Sequence, residues 1–127
     1  MVGSHLADYL LAHTKWDLFG MCRWRSALDN VAHLLERANA GNRLHFVYGD
    51  LRDSISLQSV VDEAKPDYVF HLAAQSYPTT SFTSPLDTYD TNIQGTARLL
   101  EVLRRAKVLD PVIHVCASSE VYGRVPK

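Results

Sequence analysis

The sequence predicts an α/β domain, a parallel sheet with helices on both faces, and three observations carry that prediction. Short apolar runs at 16–22, Leu44–Tyr48, 68–72 and 112–116 alternate with segments whose apolar residues recur at helical spacing. The connections are brief, and no Gly/Ser/Pro-rich linker, repeat or shift of composition divides the 127 residues. At 46% hydrophobic and 21% charged, the composition is that of a globular chain, which excludes the disordered and collagenous classes. A chain of this length folds around one core, and helices alternating with short strands build parallel βαβ units.

Each element has its own justification. Leu6, Ala7, Leu10 and Leu11 mark a helical stripe that opens near Gly3 or Ser4 and ends near His13. Residues 16–22, apolar and aromatic, read as a buried strand. Ser26 with Asp29 three positions on has the spacing of a capping box, Asp replacing the usual Glu, and Leu28, Val31, Leu35 and Ala38 carry the helix onward. LHFVY at 44–48 is a strand closed by Gly49-Asp50. Asp53 or Ser54 caps a helix with Leu57, Val60, Val61 and Ala64 on one face, stopped by Lys65-Pro66-Asp67. YVFHL at 68–72 is a third strand, and residues 75–85, rich in Ser, Thr and Pro, read as a loop. Residues 92–107 read as a long helix with Ile93, Ala97, Leu100 and Leu103 inside and Arg104, Arg105 and Lys107 at its negative end. VIHVC at 112–116 is the fourth strand.

Thirteen Lys plus Arg against fourteen Asp plus Glu leave a formal charge of -1, without the broad basic field that non-specific nucleic-acid binding needs. Any anion site is therefore local. Cys22 and Cys116 lie far apart without CxxC spacing, which argues against a metal cluster or disulfide and for a reducing cytoplasm. His5, His13, His33, His45, His71 and His114 show no ligand pairing at i, i+4, so no metal site is expected. No run approaches the roughly 20 apolar residues of a bilayer span, and the start MVGSHLADYLLAH lacks the basic region of a leader, so neither membrane nor export is expected.

Parallel α/β sheets bind ligands at the carboxyl ends of their strands, here residues 22–26, 49–51, 73–76 and 117–120. Together with GSHL at 3–6, GDLRD at 49–53, HLAAQS at 71–76, NIQGT at 92–96 and SSEVYG at 118–123, these ends resemble the cofactor half of the extended short-chain dehydrogenases/reductases that act on nucleotide sugars. AAQS followed by SFTSP at 81–85, with RWRS at 23–26, is most similar to the GDP-mannose 4,6-dehydratases, the reductases of GDP-4-keto-6-deoxymannose being neighbours.

The resemblance implies a Rossmann-like, doubly wound sheet, of which residues 1–127 form a partial NAD(P)-binding domain. It also implies pieces this sequence lacks. A first, central strand and two glycines of a Gly-x-x-Gly-x-x-Gly turn would precede Gly3, and a Tyr-x-x-x-Lys pair would follow; Tyr122 has Pro126 four positions on. The chain is therefore expected to be an internal piece of an enzyme more than twice as long and inactive by itself, Met1 being a misassigned start or a truncation point. Losing a central strand strips both neighbours of a ladder and leaves them nearly 10 Å apart, two spacings of about 4.8 Å, with each dry unpaired group costing roughly 1–3 kcal/mol.

For the cofactor, the resemblance implies NADP. Arg23 and Arg25 stand where an acid would select the ribose 2′-hydroxyl of NAD, and guanidinium groups pair bidentately with a 2′-phosphate, aided by Ser26. From spacing alone, two solvated arginines before an ordinary cap serve equally. Gly3, Asp50, Leu51, Leu72, Ala73 and Ala74 become cofactor contacts by resemblance, Asp50 and Leu51 at the adenine; a Gly-Asp turn and plain packing are the alternatives.

For the chemistry, a hydroxyl at the position of Ser118 bonds the sugar C4 oxygen and a carboxylate at that of Glu120 removes the C5 proton, the alternative being a cap on the next segment. Gln75, Ser76, Ser81, Asn92 and Ser119 would meet substrate; Asn92 is otherwise a helix N-cap. The implied substrate is a nucleotide sugar, GDP-mannose, and a homo-oligomer is compatible with the family. Ser118 in place of the dehydratases' usual Thr also fits the reductase, Asn92 fits the reductase or another nucleotide-sugar epimerase/dehydratase, and a non-catalytic nucleotide-binding module is the reading of a different class.

Overall fold

A computed structural model of the chain describes residues 2–41, 43–107 and 110–123, the side chains of Ser119 and Glu120 excepted. Helix α1 covers Val2–His13, strand β1 Leu18–Cys22, helix α2 Ala32–Asn39 behind a 3-10 turn at Asp29–Val31, and strand β2 Leu44–Tyr48. Helix α3 covers Ser54–Ala64 and strand β3 Tyr68–His71. Short helices α4, Pro78–Thr83, and α5, Pro85–Tyr89, run through a π turn at Asp90–Gln94 into α6, Gly95–Arg105; strand β4, Val112–Val115, and a 3-10 turn at Ser119–Tyr122 follow.

The α/β class and the parallel pairing hold. β1 pairs with β2 from Leu18↔Leu44 to Cys22↔Tyr48, and β3 with β4 from Tyr68↔Val112 to His71↔Val115. These are two separate two-stranded sheets, so β1 and β3 each have one ladder among the described residues. The starts of the two sheets meet where Trp16 stacks on Tyr68, ring centroids 4.7 Å apart. Beyond that stack a cavity of about 810 Å³ runs between them, bordered by residues 18–21 of β1 and 68–71 of β3. Leu6, Ala7 and Leu10 of α1 line it, as do Val61, Ala64, Leu99 and Leu103 from α3 and α6.

The core sits between α3 and α6. Leu57 is fully buried and packs with Leu51, Val61, Leu99, Val102 and Leu103, Met21, Val69 and Ile113 joining from the strands. Asp53 is the cap of α3, its carboxylate accepting from the N–H groups of Ile55 and Ser56, and Lys65 closes the helix in the left-handed region at φ 42°. Asp8 of α1 accepts from His33 of α2 at 2.8 Å and links those two helices.

Four expectations need correction. Residues 75–85 are not a plain loop, because Pro78 and Pro85 each start a short helix, proline being pre-set for the first helical turn. The long helix does not begin at Asn92. It begins at Pro85 and carries a π turn, which adds a residue and shifts the face it buries. That face is Gly95, Leu99, Val102 and Leu103, so of the four residues placed inside only Leu103 is buried, while Ile93, Ala97 and Leu100 are exposed. In α2 the buried residue is Leu34, because the 3-10 turn ahead of it winds about 120° per residue instead of about 100° and rotates the stripe.

Candidate functional site

The carboxyl ends of the strands lie along one edge. β1 leads into Arg23, Trp24 and Arg25, with the Ser26 N–H donating to the Arg23 carbonyl at 3.0 Å to close a turn. Arg23 and Arg25 are exposed, and Trp24 stands edge-on to Tyr48 at the end of β2, centroids 5.2 Å apart. Ser26 is not a helix cap: the 3-10 turn starts at Asp29 behind Leu28, so the anion-facing helix N-terminus expected at Ser26 is absent.

Beside this loop, Gly49 donates its N–H to the Cys22 carbonyl at 3.0 Å and ties β2's end to β1's. A Cβ at Gly49 would lie 2.9 Å from Met21 Sδ and 3.1 Å from Val60, so a side chain there requires the Met21 thioether to shift. Asp50 follows. Its Oδ1 accepts from the Arg52 backbone N–H at 2.9 Å, the Asx turn that its Gly-Asp setting favours. That bond first, then the Arg52 guanidinium and the charge of Arg23, holds the carboxyl below the usual carboxylate range against partial burial. Arg52 also donates to Asp87 at 2.9 Å, and Arg98 to Asp90 at 2.7 Å, so a chain of alternating charges fastens the β2 end to α5 and the π turn. Leu51 is 5% exposed, its side chain packed under Gly95, so an adenine contact through that side chain is unavailable.

At the end of β3, Leu72 is half-buried and Ala73 and Ala74 are exposed. Gly3, in the first turn of α1, comes to this end: a Cβ on it would meet Leu72 Cδ1 at 3.9 Å, an ordinary contact. Gln75 and Asn92 then clasp one another. The Gln75 N–H donates to Asn92 Oδ1 at 2.7 Å, and Asn92 Nδ2 donates to the Gln75 carbonyl at 3.0 Å. The Gln75 side chain donates to the Tyr77 carbonyl and Thr88 Oγ1 and accepts from the Tyr77 N–H. Both residues therefore shape the loop after β3. Asn92 is not an N-cap either, since it lies inside the π turn. Ser81 donates to the Pro78 carbonyl at 2.6 Å within α4, and Ser76 is exposed.

A buried relay stands behind the clasp. The Thr96 hydroxyl donates to the Asn92 carbonyl at 2.7 Å, which uses its single proton, so at 2.8 Å from His71 Nε2 it accepts. His71 is thereby the Nε2–H tautomer, 8% exposed, and burial pushes its pKa down, which keeps it neutral. His71, Thr96, Arg52 and Arg98 were missed as site-shaping residues in the sequence. For Thr96 the signal was its spacing four positions after Asn92, which a helical turn brings to one side.

At β4's end Ser118 is exposed and its carbonyl accepts from the Val121 N–H at 3.3 Å, opening the 3-10 turn. The side chains of Ser119 and Glu120 lie outside the described residues. The edge thus offers two exposed guanidinium groups, a carboxylate held charged, two alanines that leave backbone accessible, and a serine hydroxyl. Among the described residues no cluster of His, Cys, Asp or Glu could hold a metal ion, and no helix is long and apolar enough to cross a membrane.

Known proteins with the same pattern bear on this edge. GDP-mannose 4,6-dehydratase of Vibrio cholerae is 37% identical over 127 residues, covering 97% of this chain and 34% of its own length. The human GDP-mannose 4,6 dehydratase is 35% identical over 130 residues, with the same two coverages, so the chain spans about a third of the length of these curated relatives. Among solved structures, the UDP-glucose 4-epimerase of Stenotrophomonas maltophila with bound NAD and formylated UDP-arabinopyranose superposes with a TM-score of 0.78 at 26% identity, over 99% of this chain and 36% of that one. The enzyme of Bifidobacterium longum in complex with NAD+ and UDP gives 0.76 at 26% identity, over 96% and 35%. The family model described as GDP-mannose 4,6 dehydratase matches residues 1–127, and with that match the chain belongs to the GDP-mannose 4,6-dehydratase family.

Proposed function

We propose that the protein to which this chain contributes is an NADP-dependent GDP-mannose 4,6-dehydratase of the cytoplasm, converting GDP-mannose to GDP-4-keto-6-deoxymannose and water. The observation that carries the reading is the strand-end edge itself, on which Arg23, Arg25, Asp50, Ala73, Ala74 and Ser118 stand within a chain of that family. Bound along this edge by Arg23, Arg25, Asp50, Leu72, Ala73 and Ala74, the cofactor would supply a hydride acceptor for sugar C4 and a hydride donor for C6, with no net change in its oxidation state.

The residues present fit such a cofactor. Neither Arg23 nor Arg25 is engaged in a salt bridge among the described residues, which leaves both guanidinium forks for a 2′-phosphate. Asp50, kept ionised, accepts from an adenine amine. Leu72, Ala73 and Ala74 let ribose and phosphates approach the backbone. Ser118 bonds the C4 oxygen, Glu120 removes the C5 proton and helps the C6 hydroxyl leave as water, and Ser76 and Ser119 meet the sugar. Gln75, Asn92 and Ser81 act one step back, by fixing the loop that carries Ser76. The 127 residues alone, without a Tyr-x-x-x-Lys pair, are expected to give no turnover.

Ser118, which also suits the keto-sugar reductase, supports the second reading. The assay that separates the two uses the chain extended to its relatives' length. Ketosugar formed from GDP-mannose with catalytic NADP supports the dehydratase, whereas turnover that waits for ketosugar and stoichiometric NADPH supports the reductase. In the same protein, Arg23→Ala with Arg25→Ala is expected to weaken NADP at least about tenfold more than NAD, a charge-assisted pair being worth about 1.5–3 kcal/mol. Equal losses for both cofactors overturn the assignment.

A further inference from the structure

We propose that Trp24, steadied by Tyr48, is a stacking wall for the adenine base of the cofactor, a side chain that sets how tightly an adenine nucleotide is held without choosing between NADP and NAD. The inference rests on the reading that this edge takes a dinucleotide. It adds a contact that neither the charged groups nor the small residues of the edge supply.

The indole is exposed, yet its place is fixed. Trp24 is 77% exposed and Tyr48 51%, although aromatic side chains of this size are on average well buried. Trp24 and Arg25 are the two central residues of the turn that the Ser26 N–H closes on the Arg23 carbonyl. Cys22, the last residue of β1, stands opposite Tyr48, the last residue of β2. The turn therefore folds Trp24 back across the neighbouring strand, where the two rings meet with their planes at 70°. Edge-to-face contact is a favoured arrangement of an aromatic pair, and it holds the indole in one orientation.

The same geometry leaves π surface free. In an edge-to-face pair the ring that offers its edge keeps both faces and the other ring keeps one, so a third flat ring is received without loss of the existing contact. Every nucleobase has a face to offer, and base–aromatic stacking needs no hydrogen-bond readout.

Charge narrows the ligand. Arg23 and Arg25 flank Trp24, exposed and without a salt bridge among the described residues. Two guanidinium groups beside the rings repel the cationic ligands that an aromatic face otherwise attracts, and they favour a base that carries phosphate. Asp50, two positions after Tyr48, lies near enough to Arg23 for the two charges to interact. Its carboxylate offers an acceptor for an amine on the edge of the base. Adenine nucleotides carry the flat face, the amine and the phosphate together. A guanine nucleotide carries them as well, so the test separates the two.

The test uses the chain extended to its relatives' length and compares two variants by calorimetry. Trp24→Leu keeps apolar bulk and removes the π face; Trp24→Phe restores a face. Trp24→Leu is expected to weaken NADP, NAD and adenosine 2′,5′-diphosphate by one common factor of at least about fivefold. Trp24→Phe is expected to recover most of that loss, and GDP-mannose is expected to bind Trp24→Leu as it binds the unaltered protein. Bound adenosine 2′,5′-diphosphate is expected to show its adenine H2 and H8 proton resonances moved upfield by the indole ring current, a shift that disappears in Trp24→Leu. The melting temperature is expected to stay essentially unchanged, the replaced ring being exposed. A loss confined to NADP assigns Trp24 to placing Arg23 and Arg25 and overturns the wall. So does an equal loss for GDP-mannose, and so do undiminished adenine-nucleotide affinities in Trp24→Leu; each of these leaves the cofactor reading standing. An unaltered protein that takes up none of the three adenine nucleotides overturns the cofactor reading itself, and this inference with it.

Discussion

Asn92 and His71 show how single side chains set the loop that follows β3. Each amide atom of Asn92 meets the Gln75 backbone, so Asn92→Ala leaves one donor and one acceptor without a partner, at about 1–3 kcal/mol if they stay dry. The expected outcome is a lower melting temperature and faster exchange of the Gln75 amide, with Asn92→Asp intermediate because the carboxylate keeps the acceptor for the Gln75 N–H. His71 makes stability depend on pH. Its folded pKa lies below the ordinary 6.5, so between the two values the unfolded chain binds the extra proton. That contribution is complete above about pH 6.5 and is lost as pH falls through the depressed value. Asp50 acts in the same direction but lower, below 3.8. In denaturant titrations, His71→Asn is expected to flatten the stability profile as pH falls below about 6.5 and leave the Asp50 limb in place. Of these roles the sequence disclosed the polar residue types and their order; who bonds whom depended on the π turn, which no period of 3.6 announces.

At the scale of elements, α6 turns on a conflict that Gly95 resolves. Alanine is the better helix former by about 1 kcal/mol, yet a Cβ at Gly95 would stand 2.8 Å from Leu51 Cβ. That atom is fixed to its backbone and cannot swing aside, so overpacking at about 1–3 kcal/mol outweighs propensity. Gly95→Ala is expected to destabilise, read as an earlier unfolding midpoint with unchanged slope. Elsewhere in α6, Arg104 and Arg105 hold the Glu101 carboxyl at about 2, but both arginines are largely exposed and solvent screens the triad, so it contributes little to stability. The strands and α3 were legible because their signals are local: LHFVY needs no neighbour to read as a strand, and Asp53 before an apolar stripe needs none to read as a cap. The buried faces of α2 and α6 were not. A 3-10 turn and a π turn rotate those faces, and each is a response to packing elsewhere.

For the molecule as a whole, the two open ladders decide behaviour. Among the described residues each half presents an unpaired parallel edge to the cavity, and the Trp16–Tyr68 stack and the α3–α6 core hold the halves together across it. The isolated chain is therefore expected to be unstable or to associate through those edges; a single cooperative thermal transition of a purified monomer contradicts this. By itself the sequence determined the α/β class, the parallel order of strands and helices, and the set of polar residues at strand ends, because hydrophobic period and turn chemistry are written in neighbouring residues. Only the tertiary structure decided that Ser26 caps nothing, that Leu51 faces the core, that Gln75 and Asn92 hold each other, and that β1 and β3 face one shared cavity. Those outcomes depend on which surfaces meet, and contacts between residues distant in the chain are fixed by packing, not by local preference.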